Sequence, residues 1–555
     1  MEKRAIIAFV LSILVIVGWE LFLAPDRKPT QPPEQSVPAE PGPTAPSTTP
    51  SSPPPQSIAP ESLPLQRKLP ETAESEGWTV DTPLYQARLT ESGARLEHFR
   101  LKHYRTRVEP DAPLMEMVPT QRSGYLPIAL DLLHHPDYQL STRPYTSSAP
   151  RRVLLDPQNP SQNLEYSLEI PQALKVTKVL SFAADGYVVQ LEVGLKNLGP
   201  DPLEDQLGVS FFYQPYGQAS ESSYNPSQLT VYQNRKAENF DHKAIEKKQP
   251  VFDAPLAWLG YQDNYFLQAL APTTDTGYQI IPRTLDPASG MIQAVWLSAP
   301  FKLAGGEAKT YQFDLYLGPK ESSALKQAGH SLEAAVDFGW FTFLATPLLQ
   351  LLKWLYKYSH NYGVAIILLT IMIKILFWPL THKSYKSMQG MKKLQPKMAQ
   401  IKEKYKDDRE KLNQELMMLY RTYKVNPMGG CLPMALQIPV FFALYRMLYS
   451  AIEIRHQPFW LWMNDLTAPD RLSIGFNIPY LGGLPVLTLL MGASMFIQQK
   501  MTPTTGDPRQ EKMMLMMPVI FTVFFINFPA GLVLYWLVNN VLSIVQQYLI
   551  NRQAT

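Results

Sequence analysis

Gly363-Val-Ala-Ile-Ile-Leu-Leu-Thr-Ile-Met-Ile-Lys-Ile-Leu-Phe-Trp-Pro-Leu380 is an apolar run interrupted by one charge, Lys374. As a helix it reaches about 27 Å, close to the thickness of a bilayer's hydrocarbon core. An ionisable side chain inside such a run is costly and marks function by default. Lys374 stands about 9 Å from the Leu380 end, close enough for its ammonium to snorkel out. Thr370 lies one turn earlier on the same face and favours a polar seam between helices instead.

The segment after this run sets its direction. Thr381–Pro427 holds 10 Lys and 2 Arg against 5 acids, a net of +7; the whole chain is +3, so the remainder sums to −4. The excess of basic residues assigns this segment to the cytoplasm. Leu394, Met398, Ile401 and Tyr405 recur at helical spacing, Asp407-Asp408 can cap a second helix, and Leu412, Leu416 and Leu419 continue it. The result is a helical hairpin with basic outer faces, Lys392, Lys393, Lys397, Lys402 and Lys404 among them. Such faces suit anionic lipid, or contact with RNA or an acidic partner.

Four further apolar stretches come next: Met428–Ile452, Leu484–Gln498, Met513–Phe528 and, after the turn Pro529-Ala530-Gly531, Leu532–Leu549. Gln437, Asn539 and Asn540 add polar groups within them, whereas Arg446 reads as an interfacial residue near Glu453. Of 21 methionines, 17 lie from Met372 onward, and flexible thioethers suit surfaces that accept varied apolar partners.

Towards the N-terminus, Pro347–His360 is amphipathic, with Leu348, Leu351, Leu352 and Leu355 on one face and Trp354, Tyr356 and Tyr358 as interfacial anchors. Residues 78–320 alternate at period two between Gly, Pro and Asn breaks, as in Leu174-Lys-Val-Thr-Lys-Val-Leu-Ser-Phe, and read as an antiparallel β-sandwich. Before them, Pro25–Pro64 carries 14 prolines in 40 residues and forms an extended tether. Ala5–Leu23, behind Lys3-Arg4, is long enough to span and has no small-residue cleavage site, so it reads as an uncleaved anchor. Six crossings place both termini in the cytoplasm and the β-domain outside it.

Composition narrows the chemistry. One cysteine in 555 residues excludes an intramolecular disulfide framework and Cys-rich metal sites. His98, His103, His134, His135 and His242 lack metal-ligand spacing, and no Gly-x-x-x-x-Gly-Lys-[Ser/Thr] phosphate loop occurs. The residues call for no cofactor, no metal and no catalytic centre. A β-sandwich can hold a sugar-active enzyme, and an intramembrane lysine can serve a transporter. Transporters usually repeat their broken helices, and the Lys374 segment has no second copy.

Phe377-Trp-Pro-Leu-Thr, Leu394-Gln-Pro-Lys, Val425-Asn-Pro-Met-Gly-Gly-Cys-Leu-Pro, Gln437-Ile-Pro-Val-Phe-Phe-Ala-Leu-Tyr, Met501-Thr-Pro-Thr-Thr, Met517-Pro-Val-Ile-Phe-Thr-Val-Phe-Phe and Gly531-Leu-Val-Leu-Tyr-Trp occur in that order. Together they resemble the YidC/Oxa/Alb membrane protein insertases. The anchor, tether and outer β-domain are similar to the Gram-negative form, whose periplasmic domain is an all-β supersandwich. The resemblance implies a multi-domain inner-membrane protein: anchor 1–24, linker 25–77, β-domain 78–320, linker and interfacial helix 321–362, and a five-helix core 363–555 containing the hairpin 381–427.

It further implies an insertase and chaperone that works without nucleotide, through a hydrophilic groove whose basic residue matches Lys374. Many relatives have arginine there; lysine keeps the charge without the bidentate fork. Thr370, Gln437, Tyr535 and Trp536 fall at other groove positions. The implied partners are nascent membrane proteins, the Sec translocon (SecYEG, SecDF), the ribosome, the signal-recognition-particle receptor and membrane lipids, with no DNA. Only Asn551–Thr555 come after the last apolar stretch, so the basic ribosome-binding tail of some relatives has no counterpart.

Overall fold

The computed structural model describes residues 77–216, 225–273, 277–406, 408–423, 425, 432–476, 478–479, 481–501 and 508–553. The expected anchor and the proline-rich tether lie outside the described residues, as do Asp407 and residues 426–431 and 502–507 within two of the motifs.

The first half is built of β-structure. One eight-stranded sheet runs in spatial order Lys236–Phe240, Gln228–Gln233, Trp258–Gln262, Phe266–Pro272, Ala308–Pro319, Val188–Asn197, Leu174–Ala183 and Ser161–Ile170, all antiparallel. A five-stranded sheet centres on Met291–Leu297 and Leu207–Tyr213, and a second on Tyr85–Thr90. Period-two alternation decides what enters the core. In Leu174–Ala183, Leu174, Val176, Leu180 and Phe182 are buried, and Lys178 is buried in line with them. Trp296 of a five-stranded sheet meets Tyr311 and Phe313 of the eight-stranded sheet edge-on, at 5.3 and 4.9 Å between ring centroids. The sheets therefore share one apolar core, as a sandwich requires.

The second half is helical: α1 (Thr342–Ser359), α2 (Tyr362–Lys404), α3 (Arg409–Thr422), α4 (Leu432–Ser450), α5 (Val486–Met501), α6 (Pro508–Phe525) and α7 (Ala530–Gln553). The apolar run and the first hairpin arm are one 43-residue helix, continuous through Pro379 and Pro396. Its length is about 65 Å, so Lys374 and the basic arm share one continuous helix. Asp408 caps α3 by accepting from the Lys411 amide at 3.0 Å. Leu394 and Met398 are buried beneath α3, with the Tyr420 hydroxyl 3.9 Å from the Met398 sulfur.

One expectation shifts. The buried face of α1 is Ala345, Leu349, Leu352 and Leu355; Leu348 and Leu351 are half-buried beside it, because that face packs on α2 and α4. Glu453 pairs with Lys353 of α1 at 2.9 Å, while Arg446 is exposed.

Among the described residues, α2 and the Ala530–Arg552 stretch of α7 are long and apolar enough to cross a membrane, and Lys512–Phe525 is a shorter apolar helix. Large apolar side chains also face outward on all five long helices of the core: Leu376 on α2 is 73% exposed, and Ile438, Leu490, Val523 and Val545 are exposed on α4, α5, α6 and α7. Water-soluble monomers rarely leave so much apolar surface uncovered, whereas lipid covers it without cost.

The halves are joined. Ile452, just after α4, is buried in the β-domain core, and the Tyr265 hydroxyl donates to the Tyr449 carbonyl at 3.0 Å. The Arg455 guanidinium lies over the Tyr265 and Phe266 rings at 5.6 and 5.2 Å. The turn between α6 and α7 is tied to the loop after α4 by the Ala530 and Gly531 amides, which donate to the carbonyls of Ala468 and Leu466.

Candidate functional site

α2, α4 and α7 bring polar side chains into one connected cluster. Lys374 of α2 is 8% exposed, and its ammonium donates to the Ser543 hydroxyl at 2.5 Å and to Asn539 Oδ1 at 3.4 Å. Ser543 itself donates to the Asn539 carbonyl at 2.7 Å, which turns its oxygen lone pairs towards the lysine. Gln437 of α4 donates to Asn539 Oδ1 at 3.0 Å and to the Tyr535 hydroxyl at 3.3 Å. Among the described residues both hydrogen-bond acceptors of Lys374 are neutral, so no carboxylate among them compensates its charge. A cation with only neutral partners, largely shielded from water, is placed to attract an anionic group that approaches it.

The expected groove residues divide. Lys374, Gln437 and Tyr535 belong to this network. Thr370 is buried and donates to the Ile366 carbonyl of its own helix at 2.6 Å, so its hydroxyl is spent within α2. Trp536 leaves the cluster altogether. Its ring packs against Phe441 of α4 and Phe525 of α6 at 4.7 and 4.9 Å, forming an aromatic wall beside the polar cluster. Asn540 faces the next helix and donates to Ser494 of α5 at 3.1 Å.

Ser543 and Gln546 join the site although neither stands out in the sequence. Gln546 is fully buried and donates to the Thr381 hydroxyl at 2.8 Å; within the first hairpin arm, Gln389 donates to Asn551 at 2.8 Å. These contacts continue the polar seam between α2 and α7 from Lys374 towards the hairpin. A signal for them exists in the spacing, since Asn539, Ser543 and Gln546 recur at i, i+4 and i+7 on one helical face.

Along the hairpin, Lys392, Lys393, Lys397 and Lys404 are exposed and Lys402 is half-buried. Lys397 is engaged: its ammonium bonds the Tyr423 hydroxyl and sits 4.4 Å from that ring's centroid. In the β-domain, His135 and His134 both face the buried Asp205, at 2.6 and 3.3 Å. Among the described residues no group of three His, Cys, Asp or Glu side chains could hold a metal ion.

The chain has counterparts of similar build. Residues 354–555 match the family described as 60Kd inner membrane protein, and residues 77–351 match the YidC periplasmic domain. A protein of Syntrophobacter fumaroxidans named "Membrane protein insertase YidC" is 58% identical over 100% of both chains. Proteins of the same name from Syntrophus aciditrophicus and Geobacter sulfurreducens are each 40% identical, over 100% of this chain and 100% and 99% of their own. With its β-rich periplasmic domain and helical core both matched end to end, the chain belongs to the YidC family of membrane protein insertases.

Proposed function

We propose that this protein inserts nascent membrane proteins into the inner membrane, and that the Lys374 cluster receives the polar segment of the incoming chain. The observation that carries the reading is a buried ammonium held by neutral acceptors between helices whose outer faces are apolar. An acidic side chain in a translocating tail finds its counter-charge there. The apolar segment behind it meets the outward faces of α4 to α6, with Trp536 at the boundary. Burial of that segment in lipid, at about 25 cal/mol per Å2, supplies the driving force. No nucleotide is needed for such a process, in keeping with a sequence that lacks a phosphate loop.

The topology that fits this role has six crossings: the anchor near residues 1–24 and α2, α4, α5, α6 and α7, with both termini and the hairpin 381–427 in the cytoplasm. The net +7 of the hairpin supports that orientation. The exposed lysines Lys392, Lys393 and Lys404 offer a surface for anionic lipid, for the ribosome or for the signal-recognition-particle receptor. In this reading the protein works alone or together with the Sec translocon. The test is photo-crosslinking from a stalled nascent chain. A probe in the polar tail should label α2 and α7 around Lys374 and Ser543, and one in the apolar segment should label α4 to α6. Tail crosslinks confined to α4 to α6 would reject the assignment.

A further inference from the structure

The chain passes from one half to the other within a few residues: Ala335 is buried in the β-domain core and Phe338 in the core of the helical half. Gly339 then turns the chain at φ 70°, a conformation glycine adopts freely, and α1 begins at Thr342. Two contacts set how α1 lies against α4. In its trailing half, Lys353 pairs at 2.9 Å with Glu453, just beyond the last residue of α4, Ser450. At its leading end, the Phe341 ring stacks on that of Phe442, with centroids 5.6 Å apart and planes 12° from parallel. Phe442 stands eight residues before Ser450, about 12 Å along the α4 axis. A helix lying flat on the membrane surface would meet α4 at one level. α1 meets it at two, so it is inclined with its leading end inward.

The side chains at that end suit a lipid interior. From Gly339 to Leu352 none is charged, and Lys353 and Lys357 come only in the trailing half, where they can reach the headgroups. Trp340 is 90% exposed and Phe343 74%. Phe442 and Ile438 on α4 are exposed as well, so the apolar surface continues from the turn onto a face that α4 presents to lipid. Asp337, the carboxylate before this stretch, accepts from the Gly339 amide at 2.8 Å and from the Thr342 hydroxyl at 3.0 Å. It also feels the charge of Lys320 on the β-domain side, and so marks the shoulder at which the chain leaves water.

Building on the membrane-spanning reading above, we propose that the leading end of α1 enters the acyl region of the non-cytoplasmic leaflet, where Trp340 and Phe343 wedge between lipid chains beside α4. The experiment uses the full-length protein in proteoliposomes, with Cys431→Ser as background and a fluorescent label on a cysteine introduced by Trp340→Cys, Phe343→Cys, Tyr358→Cys or Ile438→Cys. Quenchers are lipids spin-labelled midway along the acyl chain, lipids spin-labelled on the headgroup, and aqueous iodide. Labels at 340 and 343 should be quenched more by the chain-labelled lipid than by the headgroup-labelled one and be shielded from iodide. The label at 358, at the trailing end, should show the reverse order. Labels at 340 and 343 that behave like the one at 358 would overturn the proposal. So would labels there that no quencher reaches, since the site would then be covered by protein, whether the N-terminal anchor or a second copy. The label at 438, about 18 Å from the outer end of α4, separates the two levels of the argument. If the chain-labelled lipid quenches 438 but not 340, the wedge alone fails; if it quenches neither, the membrane-spanning reading fails with it.

Discussion

The Lys374 ammonium and the Ser543 hydroxyl meet across 2.5 Å, joining α2 to α7 within the helical core. Because Ser543 gives its own proton to the Asn539 carbonyl, it acts towards the lysine purely as an acceptor. In the proposed mechanism it is the resting partner that a substrate carboxylate displaces. Ser543→Ala should lower the unfolding midpoint by the equivalent of about 1.5–3 kcal/mol, the value of a hydrogen bond to a charged group. Insertion of an acidic-tailed substrate should persist at the parental rate. A loss of insertion as large as that of Lys374→Ala would mean that Ser543 itself contacts substrate.

The attachment of the helix before α2 to the loop after α4 predicts a coupled pair. Glu453 keeps only 9% of its side chain exposed while it pairs with Lys353 at 2.9 Å. Lys353→Met leaves that carboxylate unpaired and should cost about 1–3 kcal/mol. The double variant Lys353→Met with Glu453→Leu should recover most of the loss. A double-mutant cycle on the unfolding midpoint measures this; strict additivity of the two losses would count against it.

Gly363 opens α2 where the ring of Phe459 crosses it. A Cβ at this position would lie far inside van der Waals contact with the ring, and Asn361 beside it donates to the Phe459 carbonyl at 3.2 Å, which ties the Phe459 backbone in place. Gly363→Ala should destabilise the core by about 1–3 kcal/mol, the usual cost of overpacking. Adding Phe459→Ala should relieve the clash. Folded yield in detergent, by size exclusion, distinguishes the single from the double variant.

The hairpin lysines separate by their engagement. Lys392, Lys393 and Lys404 are exposed, so their reversal to glutamate should shift stability by less than about 0.5 kcal/mol. Insertion, and binding to vesicles containing anionic lipid, should fall markedly at low salt, and the difference should shrink as salt screens it. Lys397→Glu should in addition loosen the hairpin, since Lys397 bonds Tyr423 of the opposite arm.

Much of this architecture is legible in residue patterns. Alternation along Leu174–Ala183 and the apolar run Gly363–Leu380 each specify an element, because burial enforces period two in a strand and a continuous apolar surface in lipid. Lys374 stands out as a lone charge, and Gln437 and Asn539 as polar groups on other apolar helices, whereas Tyr535 comes only from the family resemblance. Patterns do not show which of them meet. Thr370 shares the face of Lys374, yet its hydroxyl turns back to Ile366; Trp536 comes one residue after Tyr535, and that step of about 100° carries it from the polar cluster to the phenylalanine wall. Ser543 looks like an ordinary small residue until α2 is laid beside it. Nor does alternation reveal why Lys178 and Arg95 enter an apolar core, because a buried cation is explained only by what surrounds it in space.

The proposed mechanism turns on Lys374 receiving the anionic part of an incoming chain. Its sharpest check is the insertion rate, in proteoliposomes, of one substrate with an acidic translocated tail and of its neutral-tailed counterpart. Lys374→Ala should slow the acidic-tailed substrate about tenfold or more, from loss of a charge-assisted contact of about 1.5–3 kcal/mol, while Lys374→Arg retains it and the neutral-tailed substrate is little affected. Equal insertion of the acidic-tailed substrate by Lys374→Ala, Lys374→Arg and the unsubstituted protein would show that the buried ammonium is not its receptor.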